Sequence, residues 1–314
     1  MKKNDQHAPA EAPGLYVHVP FCRTKCPYCG FYSVTSSGSE RRWLDALARE
    51  AEHYRGLFAA FDTLYVGGGT PSSLEESGVS RLAGDLRRTF LFTEGAEATI
   101  EANPDDVTAA RLGLWRDLGF TRLSLGVQSF DDAVLQRLGR RHDARAARCA
   151  VELARAAGFD NVGIDLIYGV DAQPPGSWER TIDEAVEHAP EHISCYELTI
   201  EPGTEFGAAR AAGSLRLPGE GAARRLFLET SARLRSRGYV HYEISNFARG
   251  ASLASRHNLK YWRGAPYLGL GPAAPSLATL GAAPEGTAAP AARRFWNGLR
   301  TPRWEKRVAA GERP

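Results

Sequence analysis

The chain has 314 residues and a formal net charge of +2, with 43% hydrophobic and 24% charged residues. This length suits one large domain, or one domain with a smaller partner, and the hydrophobic content supports a sizeable core. The nearly balanced charge predicts neither a nucleic-acid partner nor binding to a membrane.

Residues 1–13 are polar and rich in alanine and proline, so we expect a disordered tail there and not a secretion signal. No run approaches the roughly 18 apolar residues that a membrane-spanning helix needs. Five cysteines, three of them clustered, do not resemble the disulfide framework of a secreted protein. A reducing, cytoplasmic compartment is therefore predicted.

From residue 14 onward, short β-rich runs alternate with helical stretches. Strands are predicted at 15–19, 63–66, 98–100, 122–127, 161–167 and 192–198. Helices are predicted between them, including one over 40–57 and a long helical region over 131–157 that breaks near Gly139. Six such units predict an α/β fold with a parallel sheet, in the form of a partial (β/α)6 barrel. An open doubly wound sheet is the alternative.

The regular alternation stops after Pro202. A helix over 222–237 and a strand over 239–247 follow, and residues 271–292 are so rich in alanine, proline and glycine that we expect a poorly ordered linker. We therefore divide the chain into a partial barrel over 14–245 and a shorter C-terminal region over 246–314.

The first predicted strand leads into Cys22, Cys26 and Cys29, spaced C-x3-C-x2-C. Three close thiolates suit zinc or an iron–sulfur cluster. Zinc usually takes a fourth protein ligand, and no Cys or His follows at finger-like spacing, so the pattern favours a cluster with one iron left open. Cys149 and Cys195 are predicted to be small core residues.

Polar or glycine-rich residues follow every predicted strand, where the active sites of barrels collect. Gly67-Gly68-Gly69-Thr70 lacks the Gly-Lys-Ser/Thr ending of a phosphate loop, so it indicates either close approach of a ligand or a tight turn. Glu101 is predicted to hold a cationic amine or ribose hydroxyls, or to form a structural ion pair. Gln128, Arg140 and Asp165 are ambiguous alone and together suggest a polar binding surface.

A separate segment reads His257-Asn258-Leu-Lys-Tyr261-Trp262. It offers an imidazole that could bind iron or a porphyrin and two aromatic faces for a flat ring. On residue chemistry alone, a hydrogen-bonded histidine beside packing aromatics is the favoured reading.

The cysteine motif resembles the radical S-adenosylmethionine (SAM) signature. The flanking motifs Tyr16-Val-His-Val-Pro-Phe-Cys22, Gly-Gly-Gly-Thr70-Pro71, Glu101-Ala-Asn103-Pro104 and Leu125-Gly-Val-Gln128 are similar to the group containing the oxygen-independent coproporphyrinogen III oxidase HemN and the heme chaperone HemW. The resemblance implies a radical SAM barrel with a 4Fe-4S cluster on Cys22, Cys26 and Cys29. It also implies a SAM site lined by Tyr16, Tyr28, Gly68, Gly69, Thr70, Glu101, Gln128, Arg140 and Asp165.

Two features separate the members of this group. The oxidase carries a further cysteine two residues after the third ligand, where this chain has Phe31. The chaperone type carries H-N-x-x-Y-W, which implies heme binding by His257, Asn258, Tyr261 and Trp262. We therefore expect a protein that binds heme and passes it to acceptor proteins. The alternative is radical oxidative decarboxylation of coproporphyrinogen to protoporphyrinogen IX, so whether the chain is an enzyme stays open.

No nucleic acid is expected as a partner, and the chain is predicted to be a monomer or a dimer. Transient contact with a membrane surface is left open. The chain departs from the resembled pattern in two places: Pro275 replaces a histidine, and the sequence ends at Pro314 where the resembled proteins continue. Both a functional short form and a truncated one fit this ending.

Overall fold

The computed structural model describes residues 11–35, 39–278 and 293–312. Most of the predicted tail at 1–13, and the part of the predicted linker beyond residue 278, lie outside these ranges. All six predicted strands are confirmed, most of them longer than expected. They are β1 (Gly14–Val19), β2 (Phe61–Gly68), β3 (Phe92–Ala102), β4 (Arg122–Gln128), β5 (Val162–Tyr168) and β6 (His192–Glu197).

Helices connect the strands and continue after β6. They are α1 (Glu40–His53), α2 (Glu76–Thr89), α3 (Ala109–Asp117), α4 (Asp132–Arg137), α5 (Ala144–Ala156), α6 (Ser177–Glu187), α7 (Glu205–Ala211), α8 (Glu220–Ser236), α9 (Arg256–Arg263) and α10 (Thr301–Ala309). The predicted break near Gly139 is confirmed. Gly139 has φ of 64°, a left-handed conformation that a helix cannot continue through. No described helix has the length and hydropathy needed to span a membrane.

Five short strands complete the sheet: β7 (Val240–His241), β8 (Asn246–Ala248), β9 (Tyr267–Leu270), β10 (Pro275–Ala278) and β11 (Arg293–Trp296). The single strand predicted over 239–247 is wrong, because β7 and β8 pair with each other in antiparallel orientation. The described part of the predicted linker is also ordered. Pro275 begins β10, and the Ser276 hydroxyl accepts a 2.8 Å hydrogen bond from the backbone of Gly269.

Strand order shows that the sheet is a partial barrel. β1 to β6 lie side by side in parallel and in chain order, without the reversal of a doubly wound sheet. β9 pairs in parallel with the outer side of β1 and is followed by β10 and β11. β8 and β7 continue the other side, beyond β6. Hydrogen bonds do not close the sheet within the described residues.

Alternation along the strands separates an apolar outer layer from a polar inner surface. Outward side chains such as Leu15, Val17, Ile100 and Leu123 are fully buried beneath the helices. The intervening residues form the inner surface, and they include Tyr16, Thr63, Tyr65, Thr99, Glu101, Ser124, Asp165 and Ser194. The core therefore lies between sheet and helices, and the barrel interior is left for polar chemistry.

The two solitary cysteines differ. Cys195 is buried in the outer layer as predicted. Cys149 is exposed, so its assignment to the core was wrong. Helix α5 buries Ala147, Ala150 and Val151 against the sheet, and residue 149 falls on the opposite face.

Glu50 of α1 joins the C-terminal region to the barrel. Its buried carboxylate accepts hydrogen bonds from the Gly271 backbone (2.8 Å), the Asn297 amide (2.5 Å) and the Trp304 indole (3.2 Å). Trp304 also belongs to the main core. The domain boundary at residue 245 stays a prediction, although the sheet itself runs across it.

Burial of Glu50 has a consequence for stability. Burial raises the pKa of Glu50 to about 8, although its three hydrogen bonds act to lower it. Between the unfolded-state value of about 4.3 and pH 8, Glu50 holds up to one proton more in the folded chain than in the unfolded chain. The contribution of Glu50 to the free energy of unfolding should therefore fall as pH rises across this window, by up to about 1.4 kcal/mol per pH unit.

Guanidinium unfolding of the cofactor-free chain at several pH values checks this. We expect Glu50→Gln to reduce the pH dependence of the free energy of unfolding, because glutamine does not titrate. Glu152→Gln, on the exposed face of α5, should leave the dependence unchanged. A Glu50→Gln protein with the wild-type pH dependence would contradict the prediction.

Candidate functional site

The three clustered cysteines lie on one loop at the C-terminal end of β1. Backbone hydrogen bonds fold this loop back on itself, with Val34 donating to Pro20 (2.7 Å) and Cys22 donating to Val34 (3.1 Å). The Cys22 sulfur lies 3.3 Å from the Thr70 hydroxyl, and the Cys26 sulfur accepts from Arg140 at 3.3 Å. The loop is therefore attached to residues that follow β2 and α4.

The donor chemistry of this loop fits an iron–sulfur cluster. Burial, with repulsion between neighbouring thiolates, raises the pKa of Cys22 and of Cys29. A cationic metal centre removes that cost by stabilising the ionised sulfurs. Across the described ranges, no three His, Cys, Asp or Glu side chains converge as ligands of a single metal ion do.

The glycine run at the C-terminal end of β2 packs closely against its neighbours. A Cβ on Gly67 would lie 2.8 Å from the Glu101 carboxyl carbon, and one on Gly69 would lie 2.8 Å from the carbonyl oxygens of Val19 and Phe21. Gly68 has φ of 109°, and a Cβ there would lie 2.5 Å from His18. The run is thus a tight turn that brings β2 against the loop and Glu101, and two of its backbone N–H groups are already donors, Gly68 to Glu101 (3.1 Å) and Gly69 to Val19 (2.7 Å).

Glu101 is the next-to-last residue of β3 and points into the barrel. Tyr65 donates a 2.7 Å hydrogen bond to one carboxylate oxygen, and the Gly68 backbone donates a 3.1 Å bond to the other. Burial raises the pKa of Glu101 to about 7, with a further contribution from the charge of Asp165. No ion pair to Glu101 is found among the described side chains, so the structural ion pair considered above is not formed.

Asp165 is the second inward carboxylate, on β5. Ser124 donates to it at 2.9 Å, and burial raises its pKa as well. Two buried carboxylates in one barrel favour a ligand that brings a positive charge or several hydroxyl donors. The chemistry predicted for Glu101, a cationic amine or ribose hydroxyls, fits this surface.

The structure distinguishes Arg140 from its neighbour Arg141. Arg140 turns inward and donates to Cys26, to the Asn103 side chain and, at 2.9 Å, to the Gly126 carbonyl. Arg141 forms an ion pair with Asp105 at 2.8 Å. Only Arg140 therefore reaches the cysteine loop.

Of the remaining predicted cofactor residues, Gln128 and Tyr28 lie at the end of the barrel that carries the cysteine loop, whereas the Tyr16 ring lies deeper, 6.4 Å from the His257 ring. Gln128 ends β4 with φ of 66°, which is uncommon outside glycine and is frequent at functional sites. The Tyr16 hydroxyl lies 3.0 Å from His18 within the barrel. Tyr28, on the cysteine loop, contacts Phe206 with ring centroids 6.3 Å apart.

Sequence patterns missed the element that supports Tyr28. Helix α7 carries Phe206, whose backbone N–H donates to Pro27 at 2.9 Å, so this helix braces the cysteine loop. The missed signal is the N-cap, because Thr204 accepts from the Gly207 backbone at 3.0 Å. Asn103, which holds Arg140, was also missed as a site residue, although it stands in a strand-end motif.

The predicted heme segment lies at the opposite end of the barrel. It forms most of α9, which closes the interior beside the N-terminal ends of the strands. His257 is 1% exposed, and its ring nitrogens are each 2.8 Å from a hydroxyl, one of Thr63 and one of Tyr261. Tyr261 and Trp262 are 39% and 53% exposed, and Asn258 is half-buried. The structure therefore does not bring this segment together with the cysteine loop.

Comparison with known proteins shows to which family this chain belongs. Residues 16–185, more than half of the chain, match the Radical SAM superfamily. The chain is 37% identical over 285 residues to the heme chaperone HemW of Mycobacterium tuberculosis, covering 86% of this chain and 73% of that one. HemW of Bacillus subtilis is 36% identical over 82% of this chain and 68% of its own length. The chain belongs to the HemW family of radical SAM proteins.

A solved structure supports the same assignment. Coproporphyrinogen III oxidase HemN from Escherichia coli, a radical SAM enzyme, is similar with a TM-score of 0.79 and 28% identity over 97% of this chain and 71% of that chain. The partial barrel is thus the radical SAM fold. The match to the Radical SAM superfamily implies a 4Fe-4S cluster and SAM, and it favours the cluster over zinc at the three cysteines.

The two neighbouring arginines give a matched test of the cofactor side. We expect Arg140→Ala to weaken SAM binding about ten-fold or more, because a buried charged hydrogen-bond donor is lost beside Cys26. Arg141→Ala removes a half-exposed ion pair and should change the affinity less than about two-fold. Calorimetric titration of SAM into the anaerobically reconstituted proteins measures both. Equal losses in the two variants would contradict the assignment.

Proposed function

We propose that this chain binds heme and passes it to acceptor proteins. The observation that carries the proposal is identity of 36–37% with proteins named heme chaperone HemW over more than four-fifths of the chain. The match of His257, Asn258, Tyr261 and Trp262 to H-N-x-x-Y-W adds to it. Because its cysteines must stay reduced to hold a cluster, we place this work in the cytoplasm.

We propose that the cofactor site lies at the C-terminal ends of the strands. Cys22, Cys26 and Cys29 would hold the cluster. Tyr16, Tyr28, Gly68, Gly69, Thr70, Glu101, Gln128, Arg140 and Asp165 would line the SAM site. When bound, the cluster and SAM supply one-electron chemistry. The chain itself supplies two carboxylates for positive or hydroxyl groups, a guanidinium beside the cluster loop, and walls that exclude water.

Heme would first contact the exposed side of α9. Trp262 and Tyr261 offer aromatic surface to a flat apolar ring. His257 could bind iron only after it releases the Tyr261 hydroxyl, since both of its ring nitrogens are already hydrogen-bonded. Heme docking and iron ligation are therefore separable steps on this helix.

Oxidative decarboxylation of coproporphyrinogen is the second candidate. The similarity to HemN and the inward carboxylates favour it. Phe31, which stands where the oxidase has its additional cysteine and is 70% exposed, argues against it. Anaerobic assay with coproporphyrinogen, SAM and a reductant separates the two functions: protoporphyrinogen formation would favour the oxidase.

Heme titration followed by the Soret band tests the proposal. We expect the wild-type chain to bind heme and Trp262→Ala to bind it several-fold more weakly, since burying an aromatic face contributes about 1–2 kcal/mol. Trp262→Phe should retain most of the affinity. Heme-loaded protein should also restore a heme-free acceptor.

Trp296→Ala is the matched control, because Trp296 is also exposed, on β11 and outside α9. Loss of binding in this variant and not in Trp262→Ala would overturn the placement on α9. Absence of heme binding by the wild-type chain would overturn the function itself.

A further inference from the structure

His257 contacts the inner face of β2 at two successive inward positions. Its ring is hydrogen-bonded to Thr63 at 2.8 Å, and it lies 5.2 Å from the Tyr65 ring, centroid to centroid, with the planes tilted by 30°. Its backbone N–H donates to the buried Glu97 carboxylate at 3.2 Å. His257 is therefore fixed from three directions, which a surface ligand would not need.

The contact with Tyr65 leads to the proposed cofactor site. Thr63, Tyr65 and Gly67 alternate along β2 and face the barrel interior. The Tyr65 ring packs against the tilted His257 ring, and the Tyr65 hydroxyl donates a hydrogen bond to Glu101 at 2.7 Å. Gly67 leaves the space that the Glu101 carboxyl group occupies.

The position of the Glu101 carboxylate depends on its contacts with β2. Its hydrogen-bond donors in the described structure are the Tyr65 hydroxyl and the Gly68 backbone. The Gly68 N–H is fixed by the turn, so the side-chain partner is the adjustable one. A tyrosine hydroxyl moves with its ring, and the ring of Tyr65 packs against both Tyr16 and His257, which also contact each other.

We propose that His257 is a positioning residue of the cofactor site: it holds the Tyr65 ring, and Tyr65 holds the Glu101 carboxylate toward SAM. This role goes beyond heme binding and rests on the proposed placement of SAM beside Glu101. Through these contacts α9, at the far end of the barrel, would influence SAM binding at the cofactor end without any movement of the sheet.

A double-mutant cycle tests the proposal. SAM affinity is measured by calorimetry on the reconstituted protein for wild type, His257→Ala, Tyr65→Phe and the double variant. Each single change should weaken SAM binding about 3–10-fold, the range expected for one hydrogen bond. Because both changes act through the same hydroxyl, the double variant should be little weaker than Tyr65→Phe alone.

Thr63→Val supplies a second route, since His257→Ala leaves a cavity that could unfold the chain. Thr63→Val removes the 2.8 Å hydrogen bond to His257 and changes the side-chain volume little. Its effect on SAM affinity should likewise vanish in the Tyr65→Phe background. Arg263→Ala, on the exposed side of α9, should not alter SAM affinity. Thermal unfolding of each protein without cofactors separates loss of SAM affinity from loss of fold.

The outcomes are distinct. If wild type fails to bind SAM, the proposed cofactor site is wrong. If wild type binds SAM but the losses from His257→Ala or Thr63→Val persist unchanged in the Tyr65→Phe background, the positioning role is overturned while the cofactor site stands. Heme titration of the same variants reports the proposed heme function independently.

Discussion

The polar inner surface of the barrel is the constraint on which the rest of the structure depends. Burial of apolar side chains between sheet and helices stabilises the fold, but it leaves alternate residues of every strand facing a narrow interior. Charged groups there lose hydration and need partners. At the N-terminal end the chain supplies them, since Glu97 accepts from the His257 backbone and lies 3.7 Å from Arg122. At the opposite end two carboxylates keep raised pKa values.

This difference between the ends gives the molecule its functional layout. At the N-terminal end of the strands, protein groups supply the partners of the buried charges. Helix α9, on which we propose that heme docks, covers this end. The end with the cysteine loop holds carboxylates that a cationic ligand would complete, as expected for a radical SAM protein. The inner face of β2 connects the two, through Thr63 and Tyr65.

Much of this could be predicted from sequence, because period-two and helical patterns report burial directly. The six parallel strands, the break at Gly139 and the clustering of motifs at strand ends follow from such patterns. Composition failed at Pro275–Ala278, where this part of an alanine-rich run is ordered by pairing with β11 and with β9, which is itself paired with the distant β1. The contact of His257 with Tyr65 joins residues 192 positions apart, and no local pattern reports it.

The most direct test of this account is the protonation state of Glu101 with and without SAM. Difference infrared spectroscopy of the cluster-loaded chain near pH 6, with Glu101→Gln to assign the band, measures it. We predict a protonated carboxyl band without SAM, because burial raises the pKa of Glu101 to about 7, and its loss when SAM binds. A band that is unchanged when SAM binds would contradict the proposal that the Glu101 carboxylate interacts with the cofactor.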